Sequence, residues 1–322
     1  MSKHISIDFG TKNTIIAEEN SGVILNEPSV AAINLKTGQL VAVGSEAKEL
    51  LGKTPKDISV VSPVVGGVVA DFDVASIMLK SFIENSFPKG IMRPKATVCI
   101  PYGITDVEEK VMLECISRAN VKCDFTFEAS IAALVGEGVE VSAPCGNMLL
   151  DIGGGKVCAS VVSFGGIVSA TTKTFGGDKM DLSVVDYIKD KYGVKIGKKT
   201  AEEIKIKLGS CFGGDGTYLV VGRDESSGLP KEISVTSDDV FCAVSNCLCD
   251  IINVVKATLE NTPQELINDI RENGIYLFGG VSQLSGLERF VEENIGIKAH
   301  MSKSPIESAA LGACSLLSKG IG

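Results

Sequence analysis

The stretch Met148-Leu149-Leu150-Asp151-Ile152-Gly153-Gly154-Gly155-Lys156-Val157-Cys158-Ala159-Ser160-Val161-Val162 constrains this chain more than any other. Its two apolar runs are short enough for strands, and the glycines between them supply the backbone freedom that a tight hairpin turn needs. The spacing predicts strand, acidic residue, glycine turn, strand. A carboxylate at the end of a buried strand, followed by backbone free of side chains, can hold a hydrated Mg²⁺ while amide N–H groups face a phosphate. A purely structural β-turn has the same composition, so one copy does not decide.

A second copy tips the balance. Ile5-Ser6-Ile7-Asp8-Phe9-Gly10-Thr11-Lys12-Asn13-Thr14-Ile15-Ile16-Ala17 again runs strand, Asp, Gly-containing turn, strand, with Asp8 where Asp151 stands. Two such hairpins far apart in the chain predict a duplicated domain with a nucleotide between the halves. A third glycine turn, Gly279-Gly280-Val281-Ser282, follows the buried-strand-like run Gly274 to Phe278, and there the chain can approach an adenosine closely.

This ordered set resembles the actin, Hsp70 and sugar-kinase superfamily. Glu27-Pro28-Ser29-Val30, Val43-Gly44-Ser45-Glu46-Ala47-Lys48, Leu51-Gly52-Lys53-Thr54-Pro55, Asp71-Phe72, Ile100-Pro101-Tyr102-Gly103-Ile104-Thr105, Gly176-Gly177-Asp178-Lys179-Met180-Asp181 and Gly228-Leu229-Pro230-Lys231 are similar to MreB, the bacterial actin family. The likeness runs almost end to end. It implies an α/β, actin-like (ribonuclease H-like) fold of duplicated domains with two inserted subdomains around a nucleotide cleft. The first half is expected over 1–145 with an insertion at about 34–69. The second is expected over 146–310 with an insertion at about 182–250, and 311–322 as a C-terminal helix returning to the first half.

The resemblance also implies ATP and Mg²⁺. Asp8 and Asp151 are then the metal's carboxylates, largely through water. Gly10, Thr11, Lys12, Asn13 and Thr14 in the first hairpin, and Gly153, Gly154, Gly155 and Lys156 in the second, are the phosphate contacts. Gly177 and Asp178 join them. Glu202, Glu203, Ile204 and Lys205 line the adenosine pocket by the same likeness, with Gly279, Gly280, Val281 and Ser282 on its other side. Read without the family, Glu203 and Lys207 are equally a solvated pair four residues apart.

Two positions depart from the family pattern. The junction Glu128-Ala129-Ser130 reads Glu-Glu-Pro in most members, where the second Glu orients or deprotonates the attacking water. Ala129 can do neither, and losing a positioned base costs about 10²–10⁴-fold in rate. Lys156 stands where the family has a small Thr. It has three readings: a point charge toward the γ-phosphate or the water site, a filler for the missing Glu, or a solvent-facing side chain. The catalytic candidates are therefore Asp151, Glu128 and Lys156, and hydrolysis is expected to be slow or absent. Lys12, where Ala is common, adds a cation near the phosphates.

Composition removes other classes. A net charge of -9 argues against a nucleic-acid footprint, which needs clustered Lys and Arg. The ten cysteines lack paired C-x-x-C spacing, and no leader is read ahead of Ile5, so reduced thiols in the cytoplasm are expected. The most apolar window, Val60 to Val69, is too short for a bilayer and broken by Pro63, Gly66 and Gly67. In the loop Phe87 to Lys95, Ile91 and Met92 either fold back onto their subdomain or, as the resemblance implies, insert weakly into the inner face of the membrane beside Lys89, Arg93 and Lys95.

The leading expectation is a homo-polymer: a membrane-associated filament for cell shape or internal organisation, able to co-assemble with hydrolysing paralogues. The alternatives are a small-molecule kinase and an Hsp70-like regulatory ATPase of the same superfamily. The first lacks a recognisable substrate base and the second a peptide-binding unit. Local signals add an N-cap at Asp73, another at Thr105 or Asp106, a capping box between Thr200 and Glu203, one strand over Glu27 to Ile33, and a helix over Pro305 to Ala313.

Overall fold

The computed structural model describes residues 4–87 and 93–318. Two five-stranded sheets carry the chain, and they repeat one topology. In the first, Lys122–Glu128, Lys95–Ile100, His4–Phe9, Asn13–Glu18 and Gly22–Pro28 lie side by side in that order. In the second the order is Ala299–Met301, Ile275–Phe278, Asn147–Ile152, Val157–Ser163 and Gly166–Lys173. Each sheet has its Asp-bearing strand in the centre, antiparallel to the next strand in sequence and parallel to a later one. Such central strands are covered on both faces and read as continuous apolar runs, which is why Ile5, Ile7, Leu149 and Leu150 are all fully buried.

The first insertion is a small sheet in the order Leu40–Val43, Ala31–Asn34, Ile58–Val61, with the helix Gly44–Glu49 beside it. It begins at Ala31, earlier than position 34, because the single strand expected over Glu27 to Ile33 is broken. Pro28 has no N–H to continue a ladder, and Ser29 is pinned to the first hairpin: its N–H donates to Lys12 O at 2.8 Å and its hydroxyl to Gly10 O at 2.7 Å. The strand Gly22–Pro28 therefore ends in the main sheet, and Ala31 starts another.

The second insertion holds the helix Lys198–Leu208 and a sheet ordered Val194–Lys195, Thr217–Asp224, Pro230–Thr236. Helix Ser237–Glu260 follows and passes position 250 without interruption. It is long and apolar enough to cross a membrane by length and composition, a signal the strand-sized window at Val60 missed. Its apolar stripe of Val240, Val244, Leu248, Ile251 and Val255 is instead buried in the second core.

Two expected caps differ. Asp71, not Asp73, accepts the Val74 N–H at 3.1 Å and starts the helix Phe72–Ser86. The Thr200–Glu203 box is absent, since the helix starts at Lys198 behind Gly197. Thr105 does cap, boxed with Glu108.

Between the sheets lies a core of Cys99, Leu134, Leu149, Phe278 and Ala313. There the helices Ala129–Gly136 and Ser308–Ser318 cross at their glycines: a Cβ on Gly136 would sit 2.1 Å from Ser308 O, and one on Gly312 1.8 Å from Ala132 O. The C-terminal helix starts at Ser308 rather than Pro305, and Ser6 Oγ donates to Ala310 O at 2.6 Å, tying it to the first strand.

Candidate nucleotide cleft

The two Asp hairpins face each other, and their turns are closed by the same bond. Gly10 N–H donates to Asn13 O at 3.0 Å, and Gly153 N–H to Lys156 O at 2.9 Å. Asp8 and Asp151 are each the penultimate residue of their strand, so they hold equivalent positions. The turns touch. A Cβ on Gly154 would lie 2.1 Å from Lys12 Cγ, and one on Gly155 would lie 2.9 Å from Thr11 Cγ2. Those glycines are there because the opposite hairpin crosses directly over them.

The third glycine turn closes in from behind. Gly279 has φ +83°, and a Cβ on it would meet Asp151 Oδ1 at 2.5 Å and Ile152 O at 2.4 Å. Gly176 approaches Gly153 O to 2.3 Å by the same measure. These close approaches leave a cavity of about 500 Å³, with Asp8, Asp151, Cys158, Ala129 and Ser130 among its walls. That volume is in the range of small-molecule and cofactor sites.

Of the residues expected at the site, Asp8, Gly10, Thr11, Lys12, Asn13, Asp151, Gly153, Gly154, Gly155, Lys156, Gly177, Glu202, Lys205, Gly279, Gly280 and Val281 line this cavity. Others do not. Thr14 is buried with its hydroxyl 2.9 Å from that of Ser29. Asp178 turns to Lys12, at 2.8 Å. Ile204 is fully buried in the second core, Glu203 is exposed, and Ser282 is buried and donates back to Gly279 O. The Gly177 and Asp178 amides are taken by Gly153 O at 3.0 Å and Gly154 O at 2.8 Å, so they do not face a phosphate.

The wall on helix Lys198–Leu208 is a helical face, not a consecutive block. Glu202, Lys205, Ile206 and Gly209 line the cavity at i, i+3, i+4 and i+7. Opposite them come Leu284, in the stretch after the third glycine turn that was expected near the adenosine, and Gln283, Pro305 and Ile306, which sequence reading missed. The helical period was legible for Ile206 and Gly209. Nothing local marks Pro305 and Ile306, which arrive from a distant segment.

Electrostatics at the floor fits a cation. Burial, then the neighbouring Asp151, pushes Asp8 up to about 7. Burial also pushes Asp151 up to about 6, against the pull of Lys156. Two carboxylates crowded together resist joint ionisation, and a divalent cation between them removes that penalty.

Lys156 does not project into solvent: its Nζ donates to Tyr102 O, and burial lowers its pKa. Ala129 stands on the cavity wall. Glu128 is not among the lining residues; one of its carboxylate oxygens is buried without a hydrogen-bond partner, and burial raises its pKa. Ile91 and Met92 lie outside the described residues.

Twin sheets, twin Asp turns and one shared cavity define an actin-like protein. The chain belongs to the MreB/Mbl family, whose model, described as MreB/Mbl protein, matches residues 2–320. It is 38% identical over 315 residues to the cell shape-determining protein Mbl of Bacillus subtilis (strain 168), covering 97% of this chain and 94% of that one. It is 37% identical over 319 residues to cell shape-determining protein MreB of Escherichia coli (strain K12), covering 97% and 92%. Among solved structures, MreB5 of Spiroplasma citri bound to AMPPNP superposes with a TM-score of 0.94 at 30% identity, covering 100% of this chain and 98% of that one. A chain of the MamK double helical filament superposes at 0.83 with 18% identity, covering 99% of each, and supports the fold.

Proposed function

We propose that this chain is an ATP-binding cytoskeletal subunit that adds head to tail into filaments and contributes to cell shape or internal organisation. The observation that carries the reading is the convergence of both Asp hairpins and the Gly279 turn on one cavity. Support comes from relatives named for cell shape and from a relative solved with AMPPNP and, separately, with ADP. Head-to-tail contacts are heterologous, so they extend rather than close.

Asp8 and Asp151 would hold Mg²⁺, and the backbone of the two turns and of the Gly279 segment would enclose the nucleotide. The cation's contribution is charge neutralisation on the phosphates. The protein's own contribution to hydrolysis is small. Ala129 presents a methyl group where a base belongs, Glu128 is off the wall, and Lys156 is held by Tyr102 O. The subunit therefore works as a nucleotide-bound building block with slow turnover, suited to co-assembly with hydrolysing paralogues. It sits in the cytoplasm, with weak contact to the inner membrane face through Ile91 and Met92.

Electron microscopy of the purified chain with ATP, with ADP and with neither, alongside calorimetric ATP binding and phosphate release, tests this. Filaments and tight binding with little phosphate release are expected. A chain that binds ATP but forms no polymer under any condition would overturn the cytoskeletal reading.

A further inference from the structure

The two hairpins exchange lysines across the cleft. Lys12, at the tip of the first hairpin, lays its stem over Gly154 and brings Nζ to 2.8 Å from Asp178, 3.5 Å from Glu202 and 3.6 Å from Asp181. All three carboxylates belong to the second half. Lys48, on the helix Gly44–Glu49 of the first insertion, reaches the other oxygen of Glu202 at 2.9 Å. Glu202 thus takes one lysine from the hairpin and one from the small subdomain. Lys156 runs the opposite way, from the second hairpin to Tyr102 O in the first half.

These contacts are more sheltered than ordinary surface pairs. The side chains of Glu202 and Asp181 are 16% and 3% exposed, and Lys12 and Lys48 are 36% and 35% exposed. Asp181 is also fixed by Lys205 at 2.6 Å, and Lys205 donates to Gly177 O at 3.0 Å, so this acceptor is held in place by its own half. Isolated exposed pairs contribute little, whereas a network with shielded, pre-positioned partners escapes much of the entropic and screening loss.

Here the chain carries both signs itself. We propose that Lys12, Lys48 and Lys156 are straps that hold the two halves shut without nucleotide, so that the closed, assembly-competent shape is set by the chain's own charges. The inference needs no bound ATP, and it stands or falls separately from the nucleotide reading.

Hydrogen–deuterium exchange on the full chain, stripped of nucleotide, tests it. In the parent, the helix Gly44–Glu49 of the first insertion should exchange at the same rate with and without ATP. In Lys48→Gln and in Glu202→Gln, that helix and Lys198–Leu208 should both exchange several-fold faster than in the parent without ATP. The double variant should be no worse than the more affected single one, because the two residues form one contact.

The strands His4–Phe9 and Asn147–Ile152 should stay protected throughout, which separates opening from unfolding. A parent whose helix Gly44–Glu49 exchanges several-fold faster without ATP than with it would overturn the proposal. So would single variants indistinguishable from the parent. ATP binding measured in parallel decides the nucleotide reading on its own: no binding sinks that reading while leaving the comparison of nucleotide-free parent and variants intact.

Discussion

In the proposed reading, Ala129 is the residue that limits hydrolysis. It lines the cavity next to Ser130, so a carboxylate placed there would enter the space that the methyl leaves open. Lys156 lines the same cavity, so replacing it by the family's Thr removes a competing cation from the space a carboxylate at 129 would enter. Ala129→Glu with Lys156→Thr is expected to raise phosphate release by at least about 100-fold, the lower end of what a positioned base supplies; a folded double variant that binds ATP with unchanged turnover contradicts this. Asp8 and Asp151 give a second prediction, in pH. Without a cation they hold protons up to about 7 and about 6, and the cation must displace them. Affinity for Mg-ATP should therefore weaken as pH falls from 8 through 6, approaching about tenfold per unit for each proton displaced. Calorimetry in buffers of different ionisation heat reads the released protons directly. The sign reverses for the cation-free fold. Each carboxyl is protonated more readily folded than unfolded, so its contribution to stability is complete below about 4 and is lost as pH rises through those two values.

At the scale of elements, the second insertion shows both what the sequence reveals and what it hides. Strand–turn–strand patterns were legible because apolar runs and glycines are local, and both Asp hairpins lie where the sequence puts them. Caps were less so. Asp73 and Thr200 carry the right chemistry, but an N-cap is chosen by where the preceding chain enters the helix, a tertiary matter. The cap that matters most, Thr236 with Asp239, was not read at all. Asp239 is 1% exposed and accepts from Thr236 N at 2.9 Å and Tyr192 Oη at 2.7 Å, with Lys191 beside it. Burial works against its charge, but Lys191, Tyr192 and Thr236 outweigh that and hold it at about 2. Its folded value lies below its unfolded one, so the stability it contributes is present above about 4 and lost as pH falls through about 2. That amounts to about 2 kcal/mol. Acid titration followed by circular dichroism should show Asp239→Asn less stable at neutral pH, with the difference closing in that window.

For the whole molecule, the question is what keeps two separately cored halves in register, and sequence reading answered it only in part. It anticipated a helix over Pro305 to Ala313, but not that Gly312 would meet a glycine from a helix so far away in the chain. The crossing of Ala129–Gly136 with Ser308–Ser318 is so close that neither Gly136 nor Gly312 has room for a Cβ. Ala129, at the start of one helix, lines the nucleotide cavity, and Ala309, at the start of the other, lines it too. A change in helix spacing is therefore passed straight to the site. Gly312→Val should force the pair apart, because its extra atoms would meet backbone carbonyl rather than a yielding side chain. Overpacking of this kind costs about 1–3 kcal/mol, and a chain of this size should lose a few degrees in Tm as a result. The more telling measurement is ATP affinity, which should fall by more than the loss of stability accounts for, since Ala129 and Ala309 shift together. A Gly312→Val chain that loses stability yet binds ATP as the parent does would mean that the crossing is only a packing contact.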